Sequence, residues 1–334
     1  MSFHLKLLLR FLLLNFPLLS LCKRMDSSFP YAITLGPSRI FASRATQNGE
    51  VEVFPFNPGH GYTTYLDGVI QHYAREPSKQ SPRNEHAALP IIRDAINNIS
   101  KELSATLGYE PVYRALLLPT LFDDSSSGAA IDVLFPNGTA LAPGGPNHVT
   151  DVAGAAGYAY HLDQCENLGL SPSECTKINL LPKFLLVVEY EHDYLHLHLA
   201  SVDVRHQLFP IIRSQHFETF GEGSRDRLSQ SLGMKRYRAH LSDSIKNFIK
   251  TGGGHLYRPF KAEHIRAIVG FGDAPGEAFT ELLNITYEAV GNERAKIMSG
   301  IDPAYVAAYG AAMFARETVL KPERWRVHGA HLEL

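Results

Sequence analysis

The sequence predicts an α/β protein made of two similar halves, and three observations carry that expectation. Apolar residues alternate in short runs and recur every three to four positions in longer ones, so strands and amphipathic helices are both present. These runs follow in the order strands, helix, strand, helix, and then in much the same order again. The chain has 334 residues, 45% of them hydrophobic with 18 Phe and 15 Tyr, which is ample apolar material for one large domain or two lobes.

Strand runs are expected at 32–35, 39–45 and 51–56. Gly36-Pro37 turns the chain between the first two, and Asn48-Gly49 is a hairpin signal before the third. Residues 57–84 hold Pro58, Gly59, Gly61, Pro77 and Pro82 and read as loop. Ile91, Ile92, Ala95, Ile96, Ile99 and Leu103 recur at helical spacing, which predicts a helix over 88–107 ended by Gly108. A buried strand at 112–118 stops at Pro119. The segment 123–150, with serines at 125–127 and Gly144-Gly145, reads as loop, and an Ala- and Gly-rich helix follows over 151–162. The second half repeats the scheme. A strand at 184–188, an alternating strand at 194–200 and a third run at 201–212 form a hairpin or meander. A helical stretch at 225–250 ends at Thr251 and three glycines. A strand at 265–269, a glycine-rich turn at 270–276 and a helix at 277–290 come next. Asp302-Pro303 caps a last helix over 304–320.

Residues 1–24 stand apart as a hydrophobic leader. Positions 5–21 read LKLLLRFLLLNFPLLSL, too short for a spanning helix, with Lys23-Arg24 closing the run. A secretory signal or anchor, an over-extended start before Met25, and a short membrane-surface helix are the three readings. Membrane contact is expected only through this segment, which also decides between the secretory pathway or a membrane and the cytoplasm. The formal net charge of −2 carries no basic bias, so no nucleic-acid partner is expected. Cys165 and Cys175 flank a polar loop at a spacing that a disulfide could close in an oxidising compartment, whereas Cys22 belongs to the leader. Asn98, Asn137 and Asn284 open glycosylation sequons, which matter only in a secreted chain.

Several segments, in order, resemble the nucleotide-binding domain of the seventy-kilodalton heat-shock chaperone family. AITLGPSRIFAS (32–43) sits where that family has its first phosphate loop, D-x-G-T-T-x-S, and NGEVEVFPFNPGHGYTTYLDG (48–68) is similar to its continuation. VYRALLLPTLFD (112–123) resembles a family strand and VAGAAGYAYHLD (152–163) its "TAAALAYGLD" helix. Residues 184–199 fall at the second phosphate loop and 268–282 at the adenosine motif. GIDPAYVAAYGAAMFAR (300–316) resembles the closing helix. The resemblance implies a two-lobed actin-like ATPase (ribonuclease H-like) fold, with lobe I over 29–180, lobe II with the closing helix over 181–320, and a polar tail over 321–334. It also implies ATP in the cleft, held by backbone N–H groups of one hairpin per lobe, with an Asp in each hairpin orienting Mg²⁺ and water. The cofactor-binding positions carried over are Gly36, Ser38, Gly270, Gly272 and Asp273.

The phosphate loops depart from the family pattern. Thr34 replaces the first metal-orienting Asp, and Pro37 removes an N–H that would face phosphate. The second loop, D-x-G-G-G-T in the family, becomes Glu189-Tyr190-Glu191-His192-Asp193-Tyr194, without a glycine. Its three carboxylates would repel triphosphate unless a metal intervened. Glu189, Glu191 and Asp193 are therefore the candidate metal ligands, and Glu189 is the one candidate for a catalytic role.

Other chemistries compete. Gly270, Gly272 and Gly276 follow a strand and open a helix, which approaches a dinucleotide fingerprint and allows an NAD-binding reading; the same turn could simply let a helix pack on a strand. His192, His196 and His198 share the parity of one strand face. They read either as His-x-His metal ligands lacking a third partner or as a solvated face opposite Leu195, Leu197 and Leu199. Thr251-Gly252-Gly253-Gly254 lacks the Lys of a phosphate loop, and no Gly-x-Ser-x-Gly elbow marks a hydrolase. The expected function is that of a degenerate ATPase domain with weak or no ATP binding and an unidentified protein partner. The alternative is a divergent, active Mg-ATPase.

Overall fold

Strands form where the chain can bury both faces. β1 (Tyr31–Leu35) and β2 (Ile40–Ala45) are buried along their whole length and pair antiparallel. The structure is a computed structural model that describes residues 29–75, 85–136, 148–171, 173–174, 183–203, 208–251 and 260–322. β3 (Val51–Phe56) continues the antiparallel ladder on the far side of β2. β4 (Tyr113–Leu117) runs parallel to β1, and β5 (Val149–Thr150) runs parallel to β4, which gives a five-stranded sheet of order β3-β2-β1-β4-β5. Parallel partners need a crossover, and helices α1 (His60–Arg75), α2 (Glu85–Leu107) and α3 (Asp124–Leu134) supply it. They cover one face of the sheet, where Tyr62, Leu66, Ile92, Ile96 and Ala130 pack with Ile33, Leu35 and Ile40.

The second half repeats this plan. β6 (Phe184–Tyr190), β7 (Leu195–Ser201) and β8 (Ile211–Phe217) form an antiparallel meander, while β9 (Ile265–Phe271) and β10 (Lys296–Met298) join parallel. The order β8-β7-β6-β9-β10 matches the first sheet strand for strand. Helix α5 (Glu222–Leu232) leads into α6 (Met234–Thr251), and α6 with α7 (Gly276–Val290) closes the outer face through Leu241, Ile245, Phe248, Phe279 and Leu282.

Two short-residue helices fill the space between the sheets. α4 (Val152–Ala159) and α8 (Pro303–Leu320) belong to a core that holds Ala32, Ala115 and Leu117 of the first sheet together with Leu185, Val187, Ala267 and Val269 of the second. The layers are thus helices, sheet, helices, sheet, helices. The helix pair crosses so closely that a Cβ on Gly310 would collide with the backbone carbonyl of Ala155. Ser43 Oγ of β2 donates to Ala308 O at 2.8 Å and ties α8 to the first sheet.

Five expectations need correction. The stretch read as loop at 57–84 contains α1. Gly61 and Gly68 each cost about 1 kcal/mol in a helix, but burial of Tyr62, Leu66 and Val69 on one face contributes roughly 1.5–3 kcal/mol per side chain and outweighs it. The stretch read as loop at 123–150 contains α3, whose N-cap Asp123 accepts from Ser126 N at 2.8 Å. The helix expected over 225–250 is two helices, broken at Gly233 with φ +79°. The third strand run lies at Ile211–Phe217 rather than at 201–212, and the helix at 151–162 ends at Ala159. Cys165 is buried and disulfide-bonded, whereas Cys22 and Cys175 lie outside the described residues. Among the described residues no helix is long and apolar enough to cross a membrane; residues 1–24 lie outside them.

Candidate functional site

The two hairpin turns meet the β9–α7 turn in a cleft between the sheets. Thr34, Gly36, Ser38 and Arg39 line it from the β1–β2 hairpin, Glu189 and Glu191 from the β6–β7 hairpin, and Gly272 and Asp273 from the turn after β9. Six residues singled out in the sequence therefore come together here. Two do not. Gly270 lies within β9 and its missing Cβ makes room for Leu283 and Phe279 of α7, on the opposite face of the sheet. Asp193 is exposed in the β6–β7 turn and is absent from the cleft lining. The Gly270-Gly272-Gly276 pattern thus serves helix packing at its first position. Its sheet also carries the antiparallel β6–β8 meander, unlike the all-parallel repeat around a dinucleotide.

Four backbone amides of the cleft are bonded within the protein. Gly36 N donates to Arg39 O at 3.0 Å and closes the first turn. Glu191 N donates to Tyr194 O at 3.0 Å, Gly272 N to Pro303 O at 3.3 Å, and Asp273 N to Glu191 Oε2 at 3.3 Å. Gly272 has φ +131°, and a Cβ there would strike Tyr190 O, so only glycine lets this turn pass beneath the second hairpin. The cavity amounts to about 40 Å³, room for water or an ion and far below the roughly 300–1,000 Å³ of a pocket for a larger ligand. Arg39 lies 3.9 Å from Asp273 across the opening. Burial, then the neighbouring Glu189 and Asp273 carboxylates, hold the buried Glu191 carboxyl well above the usual carboxylate range.

Glu189 links this cleft to a polar row beneath it. Alternation puts Leu185, Val187 and Glu189 on the inner face of β6, and the register sets Glu189 opposite His196 and Val187 opposite His198. β8 continues the row, with His216 opposite His196 and Ser214 opposite His198. Glu189, His196 and His198 are 2%, 3% and 0% exposed. The face read as solvated is therefore interior, because α4, α8 and the first sheet cover it. His192 does not belong to it: it lies in the turn before β7 and is exposed.

Each member of the row is held by neighbours. Tyr194 Oη donates to Glu189 Oε1 at 2.7 Å, and Thr120 Oγ1 donates to Glu189 Oε2 at 3.2 Å. Tyr194 is itself part of the first sheet's core, so the hydroxyl reaches Glu189 from that side. His198 Nε2 lies 3.2 Å from Glu189 Oε2, and its Nδ1 lies 2.8 Å from Ser214 Oγ. The His196 and His198 rings stack at 4.2 Å and 21°. Burial, then His198 and His216, hold the His196 imidazole well below its ordinary value, so it is neutral at pH 7. One ligand atom from each of Glu189, His196 and His198 lies within 4.8 Å of the others. Sequence reading missed Thr120, Ser214 and His216; the shared parity of Ser214 and His216 in IIRSQHF is the signal that points to the last two.

No protein-family model and no curated protein matches the chain.

Proposed function

We propose that this chain is a two-lobed actin-like domain of the ribonuclease H-like type, related to the nucleotide-binding domain of the seventy-kilodalton chaperones, that lacks ATP hydrolysis and acts through contacts with a protein partner. The strand order β3-β2-β1-β4-β5, repeated as β8-β7-β6-β9-β10 with two helices between the sheets, supports the fold reading. Fold alone does not decide function, which rests on the site.

One observation carries the loss of hydrolysis: the amides of Gly36, Glu191, Gly272 and Asp273 are bonded within the protein, and buried Glu189 and Glu191 stand in the loop where glycines would admit phosphate. Bringing a triphosphate into this cavity would require breaking those bonds and burying its charge beside acidic side chains. The grouping of Glu189, Glu191 and Asp273 around one cleft favours the second reading, an active ATPase whose carboxylates hold Mg²⁺.

Calorimetric titration of the full chain with ATP and ADP, with and without Mg²⁺, separates the two. The expected result is no saturable binding up to about 1 mM, an affinity weaker than about 4 kcal/mol. Micromolar binding of ATP that requires Mg²⁺ would overturn the pseudo-ATPase reading in favour of the active enzyme.

A further inference from the structure

We infer that Glu189, His196 and His198 form a binding site for one zinc-like divalent transition-metal ion, set inside the protein beneath the cleft. The donor set decides the class of ion. Two imidazoles and one carboxylate suit Zn²⁺ or its neighbours in the first transition row, whereas Mg²⁺ and Ca²⁺ take oxygen ligands.

Geometry supports the assignment in three ways. A His-x-His pair on β7 and a carboxylate on the paired strand β6 point from one sheet face, so the backbone register itself brings the donors together. The 3.2 Å between His198 Nε2 and Glu189 Oε2 is close to the edge of about 3.3 Å between tetrahedral ligands held about 2.0–2.1 Å from Zn²⁺. The three donors lie within 4.8 Å of one another, and the His196 ring, stacked on His198 at 4.2 Å and 21°, has to turn for its lone pair to meet the ion. Finally, the supporting contacts are those a ligand set needs. Ser214 Oγ engages His198 Nδ1 and leaves Nε2 for the ion, while Tyr194 and Thr120 orient the carboxylate.

An independent observation points to a ligand. His196 is 3% exposed and its Nδ1 has no hydrogen-bond partner. A buried polar atom without a partner is costly, and an ion bound by this ring would supply the partner that Nδ1 lacks. The three donors leave one tetrahedral position for solvent or for His216, whose ring centroid lies 5.4 Å from that of His196.

The test uses the untagged full chain, stripped with chelator. Zn²⁺ is offered to the native protein and, because the site is enclosed, during refolding as well. The expected result is one Zn²⁺ per chain by elemental analysis, and a visible absorption band of tetrahedral type when Co²⁺ replaces it. Loss of a ligand in H196N or E189Q should weaken Zn²⁺ affinity by more than about 100-fold, and S214A by about tenfold. H192N, on the exposed turn, should leave it unchanged. Failure to take up stoichiometric metal by either route would overturn the inference. So would equal affinity in H196N, which would mark a surface site. Should H196N not fold, the wild-type Co²⁺ spectrum decides: a weak band of octahedral type overturns the site. ATP binding does not enter this test, so its outcome is separate from that of the nucleotide titration.

Discussion

Tyr194 shows how one side chain can serve two cores. Its ring belongs to the cluster under the first sheet, while its hydroxyl donates to Glu189 on the second. A hydrogen bond to a charged group contributes about 1.5–3 kcal/mol, and a buried carboxylate that loses a donor is expensive. Y194F should therefore lower the unfolding free energy of the metal-free chain by about 1.5–3 kcal/mol, read from urea denaturation in chelator. A loss below about 0.5 kcal/mol would mean that Thr120 and His198 satisfy Glu189 without it. In sequence Tyr194 falls at the end of the stretch Glu189-Tyr190-Glu191-His192-Asp193-Tyr194. Nothing local signals that its ring crosses into the other half.

Among the secondary-structure elements, α8 is both the most legible and the most constrained. Asp302-Pro303 announced its start, and Asp302 accepts from Ala304 N at 3.0 Å in the structure. Its small residues allow the close crossing with α4. G310A should destabilise by about 1–3 kcal/mol or more, because the added methyl meets backbone, which cannot rotate away. G270A offers the contrast. Its Cβ would lie 3.2 Å from Leu283 and Phe279 side-chain atoms, which can shift, so a smaller loss is expected in the same denaturant series. Equal losses in the two variants would remove the argument from helix crossing. α1 and α3 were hidden for the opposite reason: Gly, Pro and Ser near their starts read as loop, while the apolar faces that stabilise them are short.

Across the full assembly, one core joins both sheets through α4 and α8. Such a shared interior couples the halves, so a single calorimetric unfolding transition is expected for the full chain. Two separated transitions would show that each half is stable alone. The Arg39–Asp273 pair across the cleft contributes little to this coupling, since Arg39 is half-exposed and the pair is 3.9 Å apart. Coupling comes from apolar packing, which the surface pair only borders.

The sequence by itself determined the elements whose cause is local. Glycine and proline set the hairpin turns, and apolar periodicity set α2, α7 and α8. The repeated order of strands and helices set two similar halves. Gly36, Ser38, Glu189, Glu191, Gly272 and Asp273 came into view through a family resemblance rather than through local pattern, and they line one cleft. The burial of the histidine row was decided only by the tertiary structure. Alternation along β7 shows that Leu195, Leu197 and Leu199 face one way and His196 and His198 the other, but both faces of a strand are covered when helices lie on each side of its sheet. Polarity alone suggested water for the histidine side. The packing of α4 and α8 between the sheets removed that water, and the pairing of β6 with β7 across a short turn placed Glu189 opposite His196.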